Sequence, residues 1–294
     1  MVYDVIIIGK GPAGLSASLY TARGNLKTLI LGKEGDLSKA ATIENYCFIP
    51  KLSGKEMIDI GIEQARSFGA DIVDAEVVGL KNIDDIFEVS TDQNVYQGKS
   101  IILATGKSKI KVPVEKLDEY EGKGVHYCAT CDGYFYNGAK VGVLGYKDYA
   151  VHELKEFEPL TSNRVLYTNG NGLQISEESA KYLEEKNIII NNKKIQSVEG
   201  IQFLEKVRFQ DGTEEAVEGL FVAYGSASST DFARNLGVLI ENGDIIVNRK
   251  QETDIEGVYA AGNCTGGLAQ VATAVGEGAT AGQEVKSYLR KKKP

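Results

Sequence analysis

The sequence predicts an α/β protein built from two Rossmann-like, dinucleotide-binding-type domains. Three observations carry this expectation. The apolar run Val5-Ile6-Ile7-Ile8 leads straight into a glycine-rich turn and then a helical pattern. A second strand-to-helix start of the same kind lies far downstream, at Lys140 to Leu144 followed by Gly145. Close to the end, Gly257 to Asn263 is another buried-type run, and a long helical stripe follows it.

Val5 to Ile8 contains no polar residue, as expected of a strand covered on both faces of a parallel sheet. Gly9-Lys10-Gly11-Pro12-Ala13-Gly14 comes next, after which Leu15, Leu19 and Ala22 recur at helical spacing. Thr28 to Leu31 reads as the second strand and completes a β-turn-α-β unit of about 30 residues. Ser100 to Ala104 is a short apolar strand ending in Ala104-Thr105-Gly106. After the Lys140–Leu144 strand, Ala150, Leu154 and Phe157 mark one face of a helix. Asp211-Gly212 between Val207-Arg208-Phe209 and Glu214 to Val217 signals a hairpin. Val271, Ala274, Gly278, Ala281, Val285 and Leu289 line one face of the closing helix. Domain crossings are expected near Lys111-Val112-Pro113 and Gly225 to Ser229, and no repeat or low-complexity linker is present.

A chain of 294 residues accommodates two domains of ordinary size, and 43% hydrophobic with 25% charged residues is the composition of a soluble globular protein. No signal-peptide pattern opens the sequence, and no apolar segment nears the ~18 residues of a membrane span. A cytoplasmic protein without membrane association is expected. Four cysteines cannot form a disulfide framework in so long a chain, so the Cys128/Cys131 spacing suggests catalysis. The net charge of −8 argues against a nucleic-acid binder. Arg290-Lys291-Lys292-Lys293 is the local exception, expected as a loose solvated tail or a weak patch for an acidic partner.

Gly9, Gly11 and Gly14 fit G-x-G-x-x-G directly after a strand and at the start of a helix. Gly9 allows the tight turn, Gly11 lets the backbone approach a pyrophosphate, and Gly14 lets helix pack on strand. The helix N-terminus then offers N–H groups and partial positive charge to the phosphates. The fingerprint does not separate FAD from NAD. An acidic ribose partner belongs at the end of the second strand, where Glu34 stands two residues beyond the expected place.

Cys128-Ala129-Thr130-Cys131-Asp132-Gly133 places two thiols close enough for a local disulfide and for lowering the pKa of one of them. The neighbouring Asp132 is a candidate acid for the departing thiolate. The same pair could be half of a zinc site, but Cys47, Cys264, His126 and His152 form no second ligand pair, so no metal is expected. His126 stands two residues before Cys128 and is either a tuner of that thiolate or part of the packing. Cys47 and Cys264 read as structural or incidental thiols.

Taken together, Ile8 to Gly14, Leu103-Ala104-Thr105-Gly106, Tyr127 to Gly133, Val258 to Asn263 and Gln270 to Ala274 resemble the low-molecular-weight thioredoxin reductases. The resemblance runs over essentially the whole chain. It implies a discontinuous FAD domain, 1–112 with 229–294, and an inserted domain, 113–228, that carries the cysteines, both of the three-layer ββα kind. It implies a homodimer with thioredoxin as substrate. It also implies that Cys131 faces the flavin, Cys128 attacks thioredoxin, and Asp132 is the acid. The cofactor-binding residues it suggests are Gly9, Gly11, Pro12, Ala13, Gly14, Glu34, Asn45, Ala104, Thr105, Gly106, Gly262, Asn263, Gln270 and Val271.

The departures from that family point to a branch within it. Members bind NADPH in the inserted domain through a second glycine fingerprint and a basic segment. Here the turn reads Gly145-Tyr146-Lys147-Asp148-Tyr149-Ala150: Lys147 replaces the glycine that admits the pyrophosphate, and Tyr146 and Tyr149 add bulk. After the next strand comes Tyr167-Thr168-Asn169-Gly170-Asn171-Gly172, and no Lys or Arg occurs from Val165 to Ala180. This combination resembles the ferredoxin-dependent flavin thioredoxin reductases. Asn263 replaces the family's usual Asp, keeping an acceptor but losing its charge. The expected activity is ferredoxin-fed reduction of thioredoxin through the flavin and the Cys128–Cys131 disulfide. The alternatives are a flavin dithiol oxidase discharging to oxygen, an NADPH-dependent reductase, or a non-catalytic flavin redox sensor.

Overall fold

A computed structural model describes residues 1–49, 51–106 and 112–292. The chain divides into two compact units, Met1–Ser108 with Ser228–Pro294, and Lys109–Ala227.

In the first unit the parallel strands lie in the order Val258–Ala260, Ile101–Leu103, Val5–Ile8, Thr28–Leu31, Asp71–Val73. Every residue of the three central strands is buried, which is why their sequences are apolar without alternation. Helices Pro12–Arg23 and Val271–Lys292 cover the sheet and touch backbone to backbone. Two glycines allow that contact: a Cβ on Gly278 would lie 2.1 Å from the Ala13 carbonyl oxygen, and one on Gly282 2.4 Å from that of Ala17.

A second sheet, Val2–Tyr3, Val95–Gly98, Ile86–Thr91 and Val77–Ile83, includes an antiparallel meander that the sequence reading did not pick out. Its signal was present. Asp84 and Asp85 both take positive φ, 50° and 64°, as a tight hairpin turn demands, and Ile86–Thr91 alternates in burial.

The second unit repeats the plan. Its parallel strands run Ile189–Asn191, Arg164–Tyr167, Val141–Leu144, Gly219–Val222, Val125–His126. Successive side chains point to opposite faces. Val141, Val143, Leu166 and Phe221 pack against helix Asp148–Glu156. Leu144, Val165, Tyr167, Leu220 and Val222 pack against an antiparallel sheet of Ile195–Glu199, Lys206–Phe209 and Glu214–Ala216. Helices, parallel sheet and antiparallel sheet make three layers, and the fold is the two-domain Rossmann-like α/β arrangement. Asp211-Gly212 does form the hairpin turn, with Gly212 at φ +83°.

The basic end differs from the loose tail expected. Arg290, Lys291 and Lys292 form the last turn of the closing helix, where cations are favoured by the partial negative charge of its carbonyl end. Lys293, and Lys107, Lys109 and Lys111, further sequence candidates for a basic area that meets an acidic partner, lie outside the described residues. Among the described residues no helix is long and apolar enough to cross a membrane.

Candidate functional site

The first glycine turn is open in front of its helix. Gly9 has φ +115°, and a Cβ there would lie 2.3 Å from the Ala104 carbonyl oxygen, so the turn tolerates glycine alone. Gly14 is equally constrained, its Cβ position falling 1.9 Å from the Gly9 oxygen. Gly11 is not: nothing lies within 4 Å of where its side chain would be. It caps helix Pro12–Arg23 with no side-chain hydrogen bond, and no acidic residue occupies the first turn. Free N–H groups, positive helix-end charge and empty space together make an anion cradle. The residues present therefore fit a dinucleotide pyrophosphate.

Other candidate cofactor residues belong to the same unit. Pro12 and Ala13 begin the first helix, and Val271 begins the closing one. Ala104, Thr105 and Gly106 follow strand Ile101–Leu103, with the Thr105 N–H donating to Ser229 Oγ at 3.0 Å. The Asn45 amide donates to Gln270 Oε1 at 2.8 Å. Gly262 donates its N–H to Glu277 Oε2 at 2.7 Å, and Asn263 is exposed beside it. Glu34 is exposed and its charge acts on Lys10, a buried lysine ion-paired with Asp74. Burial is the chief influence on Lys10 and holds its pKa below the usual lysine range. Sequence reasoning missed Ser229 and Glu277. Ser229 was findable from the Ser228-x-x-Asp231 capping box beside it, and Glu277 from its place three residues after Ala274 on the apolar helix face.

The second glycine turn keeps the close packing of the first but carries different residues at its mouth. A Cβ on Gly145 would lie 2.2 Å from the Ala223 oxygen, the same constraint that Gly9 meets. Lys147 stands where Gly11 stands in the first turn, and its ammonium donates to Ser226 Oγ at 3.1 Å. Asp148 occupies the first turn of helix Asp148–Glu156. Its carboxylate accepts from the Ser176 N–H at 3.0 Å, the Ser176 hydroxyl at 2.8 Å and the Ser179 hydroxyl at 2.6 Å. The Gln174 N–H donates to the Tyr146 carbonyl at 2.9 Å, so residues 174–176 strap the mouth of the turn. Tyr146 rests edge-on against Tyr224. Tyr149, expected to add bulk at the mouth, is instead buried in the core. After strand Arg164–Tyr167, Thr168, Asn169 and Asn171 are engaged with Asn192, the Ile195 N–H and Tyr224.

Cys128 and Cys131 form a disulfide across the four-residue helix Ala129–Asp132, with Cα atoms 5.3 Å apart. Cys128 is 2% exposed and its sulfur accepts the Cys131 N–H at 3.1 Å; Cys131 is exposed. The segment is anchored by Glu153, also 2% exposed, whose carboxylate accepts the Ala129 N–H at 2.7 Å. Asp132 sits 3.0 Å from His126 Nδ1, and Tyr136 hydroxyl 2.8 Å from His126 Nε2. Glu153 and Tyr136 carried no sequence signal, since their roles arise only from packing. Just beyond the pair, Tyr134 and Phe135 are 76% and 79% exposed. Cys47 is exposed; Cys264 is buried, and burial pushes its thiol up to about 11. Among the described residues no cluster of three or more His, Cys, Asp or Glu is placed to hold a metal ion.

Residues 3–278 match the family model described as pyridine nucleotide-disulphide oxidoreductase. The thioredoxin reductase of Aquifex aeolicus is 34% identical over 308 residues, which cover 99% of this chain and 95% of that protein. The atypical thioredoxin reductase TRi from Desulfovibrio vulgaris Hildenborough superposes with a TM-score of 0.95 at 41% identity, over 99% of both chains. A ferredoxin-flavin thioredoxin reductase from Clostridium acetobutylicum gives 0.72 at 31% identity, again over 99% of both. With a family-wide match, full-length relatives and a Cys-x-x-Cys disulfide on the second unit, this chain belongs to the pyridine nucleotide-disulphide oxidoreductase family, among its thioredoxin reductases.

Proposed function

We propose that this chain is an FAD-dependent thioredoxin reductase that draws electrons from reduced ferredoxin rather than NADPH and delivers them through Cys128 and Cys131 to thioredoxin. The contrast between the two glycine turns carries the proposal. Gly11 opens an anion cradle, whereas at the equivalent place Lys147 adds a side chain, Asp148 supplies a carboxylate and Gln174 to Ser176 close the mouth. A carboxylate already at a helix N-terminus neutralises the charge that a phosphate would seek and repels the phosphate itself. The likeness to the Clostridium acetobutylicum protein supports the same donor.

Bound FAD supplies the exchange between one-electron and two-electron chemistry. Gly9, Gly11, Pro12, Ala13 and Gly14 hold its pyrophosphate. Glu34, Asn45, Ala104, Thr105, Gly106, Gly262, Asn263, Gln270 and Val271 complete the cofactor site. Cys128 attacks thioredoxin, since a sulfur that accepts a backbone N–H is favoured as thiolate. Being nearly buried, it must first be uncovered. Cys131 exchanges with the flavin, and Asp132 is the acid. Tyr134 and Phe135 offer an exposed aromatic landing for the protein substrate. A homodimer in the cytoplasm completes the proposal.

Anaerobic assays with thioredoxin as acceptor test it. Reduced ferredoxin should bleach the flavin and sustain thioredoxin reduction, while NADPH does neither. Rapid bleaching by micromolar NADPH, with ferredoxin inert, would overturn the choice of donor.

A further inference from the structure

We propose that His126 is a positioning residue for thiol–disulfide exchange: clamped between Asp132 and Tyr136, it orients the Asp132 carboxyl group and couples its proton to the Tyr136 hydroxyl. The inference rests on the reductase reading above, because it requires a disulfide whose departing sulfur takes up a proton.

Two rings set the imidazole. His126 ends the edge strand Val125–His126, and its register partner is Phe221. The two rings stack at 5.2 Å with 22° between their planes. Tyr136 meets both edge-on, 5.4 Å from His126 and 5.5 Å from Phe221. Gly219 makes the space, since a Cβ there would lie 2.7 Å from the Tyr136 ring. Packing of this kind fixes the ring plane and gives each nitrogen one partner. Nδ1 lies 3.0 Å from Asp132 Oδ2, and Nε2 lies 2.8 Å from the Tyr136 oxygen.

The protonation order follows. A carboxylate only accepts, so Nδ1 carries its proton toward Asp132, and the Tyr136 hydroxyl, whose pKa burial raises, donates to the free Nε2. The His126 side chain is 11% exposed and that of Asp132 36%, so the carboxyl end is the open one. The titratable groups around the ring are Asp132 and Tyr136. Glu218 acts on Tyr136 from beyond it, Glu153 holds the Ala129 N–H, and strand Gly219–Val222 presents the Phe221 ring.

When the Cys128 thiolate attacks the thioredoxin disulfide, an S–S bond forms between them, the thioredoxin S–S bond breaks, and its other sulfur leaves as thiolate. The Nδ1 proton passes to the Asp132 carboxylate and on to that sulfur, the Tyr136 proton moves to Nε2, and a solvent proton to the Tyr136 oxygen. One proton enters at the phenol and one arrives at the sulfur. No electrons pass along this relay.

Packing and relay are separated by two variants of the FAD-loaded enzyme. His126→Asn keeps an N–H donor near the Nδ1 position but cannot ionise, and Tyr136→Phe keeps the ring on Gly219 while removing the hydroxyl. Each enzyme is reduced by dithionite, so that no biological donor is involved, and mixed with oxidised thioredoxin from pH 5.5 to 9. Both variants should match the parent near the acid end and fall about tenfold below it at pH 8–9, where protons are scarce and a relay is worth most. Circular dichroism and the rate of reduction by dithionite should stay at parent values. Parent-like pH profiles in both variants would overturn the relay. If the parent enzyme itself leaves thioredoxin oxidised, the reductase reading fails, a different result that removes this inference with it.

Discussion

Single residues set the two glycine turns apart. Gly9 and Gly145 answer the same packing demand, a neighbouring carbonyl oxygen 2.2–2.3 Å from any Cβ, and both are glycine. Gly11 answers no packing demand of that kind, since nothing lies within 4 Å of its Cβ position. Gly11→Val should consequently fold normally and purify without flavin, as read by absorbance in the visible range against circular dichroism. A fully yellow variant would refute the cradle. Gly9→Ala should instead destabilise the first unit, by about 1–3 kcal/mol from its positive φ alone and more from the clash. The free thiols separate on the same logic. Cys264 needs to lose a proton to react, and with its pKa raised to about 11 the thiolate fraction at pH 8 is about a thousandth. Labelling the oxidised enzyme with a thiol reagent at pH 8 should modify Cys47 promptly and Cys264 only on unfolding. Prompt modification of both would contradict the buried placement.

At the level of elements, the cysteine helix is four residues long and draws little stability from its own hydrogen bonds. Its position comes from a longer neighbour: helix Asp148–Glu156 extends Glu153 to the Ala129 N–H. Glu153→Leu should leave that N–H unsatisfied, lower stability by about 1–3 kcal/mol, and slow disulfide exchange. Denaturant unfolding alongside the dithionite-driven assay measures both, and a variant unchanged in each would show that the segment is held otherwise. The strap acts as a second such element. Lys147→Gly alone should leave NADPH inert, because Asp148 and its serines still fill the helix end. The strands and the glycine turns were legible in the sequence because burial on two faces and close backbone contact each leave a local signature, as Val5–Ile8 and Gly9 show. Partnerships between distant segments leave none. Glu153 with Ala129, or His126 with Tyr136 and Phe221, come together only through the fold. Tyr149 was misplaced for the same reason: its position in the chain put it at the turn, but its helix phase turned it to the core.

For the whole molecule, charge sets the terms of the encounter with the proposed donor. Ferredoxins are typically acidic and this chain carries −8, so the long-range fields oppose each other. Docking must then depend on a local basic area, whose pull is strong only within a Debye length of about 8–10 Å at ordinary salt. Arg290 and Lys291 are exposed on the last turn of the closing helix, while Lys292 is shared with Glu256 at 3.1 Å and the Tyr288 ring. Their opposite-charge contact with the donor would be small and transient, as electron-transfer encounters are. Flavin reduction by ferredoxin should therefore slow as salt rises, because the short-range attraction that forms the complex is screened. Arg290→Glu with Lys291→Glu should lower the second-order rate constant several-fold at low salt and flatten its salt dependence, leaving thioredoxin reduction after dithionite unchanged. A rate that climbs with salt in the parent enzyme would mean that global repulsion governs the encounter. The basic helix end would then have no part in receiving the donor.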